Sequence, residues 1–479
     1  MSVICALIIS LAAACQNNSS PAETRSAMTA TATQTPRKMA SATPRPTRRV
    51  TKTPEPKSDI EVNPRDMQGV ELLFWHIWNG PSEQVISALV NEFNQENEWG
   101  ITVQGVPFSS LDELNEKVNQ AVRERELPQI ATAYLYQALN WSDDAEILVV
   151  LDDFANDAIW GMGQETQRDF YALFWEHAVV DGRRVGLPAQ RSAQMLYYNS
   201  TWAEELGFSS PPTTPEEFIE QACLASESLM EDESRENDGS GGWVLSTNYS
   251  AVLGWLYAFN SPVINQDGDG YDFNNTETKQ ALTFMREIYE EGCAWVSEND
   301  FPEHEFANRL GIFSTGSITS IPYQESAFAD IRSEDQWSVI AFPSEQEQPA
   351  INAYGPSFFV LESTPEEQLA SWIFLKWLLE PGNQARLVQA TDGFPLRESV
   401  LDYIDQNQPP LTQWYEAVDL LPDAKPEPNF QSWGSVRWAV SDIATQLYRW
   451  YFTLDQLPAA VRLLDKTAAD LHSDNHAQE

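Results

Sequence analysis

Cysteine is scarce in this chain, with four in 479 residues, and no Cys-x-x-Cys pair occurs, so the common cysteine-bearing zinc clusters are excluded. Three of the five histidines are scattered, and the one His-x-x-x-His pair, His472 and His476, has no cysteine pair to complete a zinc site. There is no Gly-x-Ser-x-Gly elbow, no P-loop and no His-Glu-x-x-His, and the hydrolase, nucleotide-enzyme and metalloprotease classes that those motifs signal have no support here. Basic residues are also in short supply, 29 Lys and Arg against 71 Asp and Glu, for a formal charge of −42. An acidic body repels phosphates, which makes nucleic acid, nucleotides and free oxyanions poor ligands while neutral sugars, peptides and cations remain open. The plainest use of that charge is a solvated surface. One enzyme class escapes this exclusion, because the two carboxylates of a glycosidase leave no signature among so many acidic residues.

What is present begins with an apolar run over residues 3–14. It is too brief to span a bilayer, and it ends in Leu11-Ala-Ala-Ala-Cys15, with small residues ahead of the cysteine as in a signal peptide. The segment resembles a bacterial lipobox, although Ala12 stands where that motif usually has Leu and no basic residue precedes the run. The expectation is a lipoprotein signal over 1–15, with Cys15 as the lipidated first residue of a protein tethered to the outer face of the cytoplasmic membrane. The alternative is an ordinary cleaved signal with an incidental cysteine. Residues 16–68 are rich in Ser, Thr, Pro and Ala and cannot form a core. A tether of about 40 residues at roughly 3 Å each reaches on the order of 120 Å. Residues 16–58 hold eight basic and two acidic side chains, leaving 21 and 69 elsewhere and a body of charge −48.

From Gly69 the pattern becomes globular, with ample apolar content and 17 Trp for substantial cores. Residues 70–77 are nearly all apolar, as in a strand buried on both faces of a parallel sheet. Val85, Leu89 and Phe93 repeat at helical spacing, residues 101–106 read as a second strand, Leu111, Leu114, Val118 and Val122 as a second helix, and residues 128–133 as a third strand. This β-α-β-α-β order predicts an open α/β sheet that binds ligand past the carboxyl ends of its strands. The loops there carry Trp78-Asn79 and Tyr136-Gln137.

Further on, Gly186-Leu-Pro188 turns into the polar Gln190, Arg191, Ser192 and Gln194 and the apolar run 195–198, a pattern suited to a hinge. A helix stopping at Gly207 follows. A second helix starts at Thr214 as N-cap, with Pro215 at its first position and Glu217 closing a capping box. Thr364 to Glu367 repeats this signal, and helices are expected over 276–292, 435–452 and 455–471. Residues 264–273 read as a hairpin. Asn265, Asp267, Asp269 and Gly270 partly mimic a calcium loop there, but Thr276 replaces the bidentate glutamate, which favours a plain turn. Cys223 and Cys293 are left for the folded body. An exported setting favours a disulfide between them, and two separate buried thiols are the alternative.

The order "Gly-Leu-Pro", "Leu-Tyr-Tyr-Asn199", a helix ending in Leu-Gly207, Pro211-Pro-Thr-Thr-Pro-Glu-Glu-Phe218, Phe306 with Gly316, and Asp392-Gly-Phe-Pro395 resembles the family 1 extracellular solute-binding proteins of ABC importers, relatives of maltose-binding protein. The resemblance covers about residues 70–471. It implies a periplasmic-binding-protein type II fold of two α/β lobes with a hinge and an interlobe cleft. Lobe 1 is then expected over 69–188 and 309–380, lobe 2 over 189–308 and 381–471, and a tail over 472–479. The crossings would lie near 187–193, 308–311 and 378–382. The resemblance also implies a monomeric, non-enzymatic receptor without metal or cofactor, which passes its solute to the membrane subunits of a permease.

Aromatic faces bury pyranose rings while amides and guanidinium groups bond hydroxyls, so the candidate ligand residues are Trp78, Asn79, Tyr136, Gln190, Arg191, Trp255, Tyr323, Tyr354, Phe394 and Trp433. A neutral carbohydrate is the leading expectation. A peptide, polyamine or other solute on the same fold, and a cell-surface glycosidase, are the alternatives.

Overall fold

The computed structural model describes residues 57–141, 147–299, 301–346, 348–405 and 408–476. The signal, Cys15 and residues 16–56 of the expected tether therefore lie outside the described residues. The expected bounds of the tether and the tail are corrected where the structure describes them, because Val62 and Met67 are buried in the first core and the helix Leu457–His476 runs through the first five residues of the tail. Among those described, no helix is long and apolar enough to cross a membrane.

The two main sheets are built, in chain order, from β1 (Glu71–His76), β2 (Thr102–Pro107), β3 (Ile130–Ala133), β4 (Leu187–Pro188), β5 (Ser192–Asn199), β6 (Gly241–Leu245), β7 (Ala294–Val296), β8 (Gly311–Ser317), β9 (Trp337–Ile340), β10 (Ile351–Tyr354), β11 (Ser357–Val360) and β12 (Ala424–Pro426). The first sheet has the order β2-β1-β3-β11-β4. Its first three strands are parallel, and β11 runs antiparallel to both β3 and β4. The second has the order β7-β6-β8-β5-β10-β12, with β9 also on β5. These are the two α/β lobes expected.

The strand β1 departs from the expectation of burial on both faces. Leu72, Phe74 and His76 are buried while Glu71 and Leu73 are exposed and Trp75 is half-buried against Phe108, so the other face is covered only toward its carboxyl end despite the apolar run. In β5 both faces are covered. Met195 and Tyr197 point into one core with Phe306 and Trp337, and Leu196 and Tyr198 into the other with Phe218 and Phe313. The helix Pro215–Met230 is capped as the sequence predicts, Glu217 N–H donating to Thr214 Oγ1 at 3.2 Å and Thr214 N–H to the Glu217 carboxylate at 3.3 Å. Cys223 on that helix is joined to Cys293 just before β7 by a disulfide, fastening helix to sheet edge.

Two of the expected crossings are corrected by the strand pairing. The first, between β4 and β5, stands where expected. The segment at 308–311 stays in the second lobe, because β8 pairs with both β5 and β6. The return to the first sheet occurs instead between β10 and β11, at residues 354–357. The helix Pro381–Thr391 then packs on the first-lobe helix Pro81–Glu96, so residues 378–382 make no crossing, and the chain re-enters the second lobe before the helix Thr412–Asp419, which lies on β9. A glycine-bearing turn between two apolar strands has the same local pattern whether or not the chain changes sheets; long-range pairing makes that choice.

Candidate functional site

The two hinge strands run side by side and are cross-linked by one side chain. Ala189 N–H and Gln190 N–H both donate to Pro356 O, at 3.1 and 3.3 Å. Arg191 is 1% exposed. Its Nη1 donates to Gln190 O at 2.8 Å, to Gly355 O at 3.2 Å and to Pro356 O, and its Nη2 to Ser357 Oγ at 2.9 Å. Burial holds its guanidinium down to about 9. Gly355 is required here, since its φ is +144° and a Cβ would meet Gln190 O at 2.3 Å. Arg191, expected as a ligand residue, is thus engaged in tying the pivot together.

Past the carboxyl ends of β6, β7 and β8 lies a cavity of about 650 Å³, within the range of small-ligand sites. Its wall, all of it on the second lobe, carries the hydroxyls of Ser246, Thr247, Ser297, Ser314, Thr315, Ser317, Ser320 and Ser441, the amides of Gln194, Asn248, Asn299 and Gln324, and the rings of Tyr197, Phe301, Tyr354 and Trp438. Among the described residues that line it there is no Lys, Arg or His, and Glu303 is the single carboxylate.

At the edge of this wall the first lobe touches the second. Tyr134 and Tyr136, which follow β3, stack with centroids 5.4 Å apart. The Tyr136 face meets the Arg437 guanidinium at 4.7 Å, and the same cation lies 5.3 Å from the Tyr249 ring and 5.0 Å from that of Trp438. Arg437 Nη1 also donates to Tyr249 Oη at 3.2 Å. Asn140 Nδ2 donates to Gln431 O at 3.2 Å, and Gln431 Nε2 donates back to Asn140 Oδ1 at 3.0 Å. Behind this contact Glu427 is buried, accepting from Trp433 Nε1 at 2.9 Å and Ser250 Oγ at 3.3 Å. Burial pushes its carboxyl up to about 7 against the opposing pull of Trp433, Arg437 and Ser250.

Of the ten residues expected from sequence, Tyr354 lines the cavity. Tyr136 sits in the interlobe contact, whereas Trp433, expected as a ligand residue, is fully buried behind it in the second lobe against Tyr249 and Tyr271. Trp78 is buried against Phe74 and Phe358 and donates through Nε1 to Gln190 Oε1 at 3.0 Å, bracing the hinge. Asn79 donates to Ile77 O and Phe108 O, at 2.8 and 2.7 Å, shaping its own loop. Phe394 is core, 6.0 Å from the Phe174 ring, with its N–H on Arg191 O. Trp255 is a correction. It is fully buried among Phe218, Trp243, Phe284 and Phe342, because the helix Tyr249–Ala258 is apolar on nearly every side. Tyr323 projects from the helix Ile321–Ile331 outside the main cavity. Sequence reasoning missed Arg437 and Trp438, whose signal was available. Both fall off the buried stripe Trp433, Val436, Val440 and Ile443 of the helix Trp433–Leu447. Glu427 gave none.

Residues 88–417 match the family of bacterial extracellular solute-binding proteins. A binding protein of Brucella abortus is 23% identical over 305 residues, which are 62% of this chain and 69% of that protein. Among solved structures, the sugar-binding protein MalE of Xanthomonas citri superposes with a TM-score of 0.72 at 19% identity, covering 85% of this chain and 98% of that one. The cyclic α-maltosyl-1,6-maltose binding protein of Arthrobacter globiformis gives 0.69 at 19%, over 85% and 99%. UgpB of Mycobacterium tuberculosis, solved with glycerophosphocholine, gives 0.66 at 17%, over 84% and 98%. At these identities the likenesses establish the two-lobed fold, and the family match, which spans more than half of the sequence, establishes the rest: this chain belongs to the bacterial extracellular solute-binding proteins.

Proposed function

We propose that this protein captures a neutral carbohydrate between its lobes and delivers it to the membrane subunits of an ABC importer, without altering it chemically. The observation that carries this reading is the composition of the cavity wall on the second lobe, hydroxyls, amides and the four aromatic rings of Tyr197, Phe301, Tyr354 and Trp438, with no basic side chain among its described residues. Such a wall bonds sugar hydroxyls and stacks on pyranose faces. The wall itself offers no cation to a phosphate, and Arg437 at its edge is already engaged by three rings, which weighs against a phosphodiester ligand of the kind bound by UgpB. A polyamine would face, among the described lining residues, the single carboxylate of Glu303. Ligand that contacts both lobes stabilises the closed form over the open one by the difference in contacts. The ligand set in this reading is Gln194, Asn248, Gln324, Tyr354 and Trp438, with Tyr136 and Arg437 closing the edge. Lipidation at Cys15 would hold the receptor at the outer face of the cytoplasmic membrane within reach of the permease.

A thermal-shift panel of oligosaccharides, peptides, polyamines and phosphodiesters tests it. A sugar should stabilise the fold by about 3 kcal/mol at a hundredfold excess over its Kd. Stabilisation by peptide or polyamine alone overturns the carbohydrate assignment, and sugar cleavage during the assay overturns the transport assignment.

A further inference from the structure

A second cavity adjoins the first. It measures about 550 Å³, lies between the short helix Glu303–Ala307 and the helix Ile321–Ile331, and shares Phe301, Glu303 and Ser320 with its neighbour. Two of its lining residues are large exposed rings, Phe301 at 79% and Tyr323 at 69% exposure. Two such rings left open on one groove beside a ligand cavity mark a contact surface. The segment carrying Phe301 is also held in place. Ser297 Oγ donates to Glu305 Oε1 at 2.9 Å, Asn299 N–H donates to Ser297 Oγ at 2.9 Å, and the Asn299 side-chain amide donates to the same Glu305 carboxylate. Gln324 Nε2 donates to Glu303 O at 2.9 Å and ties the two helices together. Beside the rings stand the carboxylates of Glu303 and Asp330 and the hydroxyl of Ser326, which accept hydrogen bonds from sugar hydroxyls.

We propose that this groove is an outer subsite for the distal rings of a linear oligosaccharide whose other end occupies the cleft, with Phe301 and Tyr323 as its stacking platforms. This rests on the carbohydrate reading above and deepens it: the ligand is an oligomer, and affinity grows with its length. Aromatic stacking at about 0.5–1.5 kcal/mol per ring, at 1.4 kcal/mol per tenfold, sets the scale at roughly tenfold in Kd.

Isothermal titration calorimetry of the native protein against malto-, cello- and xylo-oligosaccharides, each as a ladder from the disaccharide upward, tests the proposal. In the ladder that binds, affinity should rise roughly tenfold from the shortest ligand bound to the longer ones. The variant Tyr323→Ala, at a ring that lines the outer groove and not the main cavity, should lose most of that rise and leave the shortest ligand unaffected, with an unchanged melting temperature because the ring is exposed. Affinity independent of length, a rise that the variant keeps in full, or an equal loss at every length overturns the outer subsite and leaves the carbohydrate reading standing. Failure of every ladder to bind overturns both.

Discussion

Two arginines stand at the boundary between the lobes, and they are held in opposite ways. Arg191 is enclosed by three backbone carbonyls and a serine hydroxyl on two crossings that the covalent chain keeps adjacent. Arg437 is held by the faces of three rings and one tyrosine hydroxyl, and one of those rings, Tyr136, belongs to the other lobe. The first arrangement cannot be released without stranding buried carbonyls, each at about 1–3 kcal/mol. The second can part into water at small cost, since a guanidinium and tyrosine edges hydrate readily and cation-to-ring contacts are worth about 0.5–2 kcal/mol. One boundary serves as a pivot and the other as a releasable contact.

Removing the pivot should have the largest effect. Arg191→Ala is expected to cost about 4–5 kcal/mol, measured by urea denaturation, through stranded carbonyls and a cavity. A loss below 1 kcal/mol would mean that the hinge does not depend on this side chain. Next in size is the carboxyl behind the releasable contact. Glu427 titrates near 7 in the folded protein, above its unfolded value, so the stability it contributes is complete below about pH 4.5 and is lost as pH rises through about 7. Glu427→Gln removes that loss. The variant should gain on the native protein by up to about 3 kcal/mol between pH 5 and pH 8, less whatever one reversed hydrogen bond costs. The buried His76 and His177, pushed down to about 4 and about 3 by burial, act with the opposite sign, destabilising the fold as pH falls below 6.5. They are common to both proteins and cancel in the difference; a pH-independent difference would contradict the assignment. The smallest effect is expected for Arg437→Ala, about 1–2 kcal/mol of stability. Its diagnostic is a larger radius of gyration in ligand-free scattering, and an unchanged scattering curve would remove the distinction between pivot and releasable contact.

How far the sequence reveals these features depends on how local their causes are. The capping box at Thr214, the hairpin around Asn265 and the first three strands depend on neighbouring residues, and the structure contains them. The return crossing at 354–357 is decided by β11 pairing with β3, some 220 positions away in sequence, and was expected at the wrong turn. Trp255 and Trp438 are both tryptophans on amphipathic or apolar helices, yet one fills a core and the other lines a cavity. The difference lies in the helical face, legible for Trp438 from the stripe it avoids and illegible for Trp255 on a helix without a polar side. Glu427 became a functional candidate only through the burial that three segments impose on it together.

Gly434 lies directly beneath the Tyr136 ring, and a Cβ built there would fall 2.9 Å from its Cδ2. The halves therefore meet with no slack at this spot, and a lone methyl would act as a doorstop. Alanine at this position would have to push the Tyr136 ring aside or hold the two halves apart by a few tenths of an ångström, so the fit at that edge is set by the absence of a single carbon.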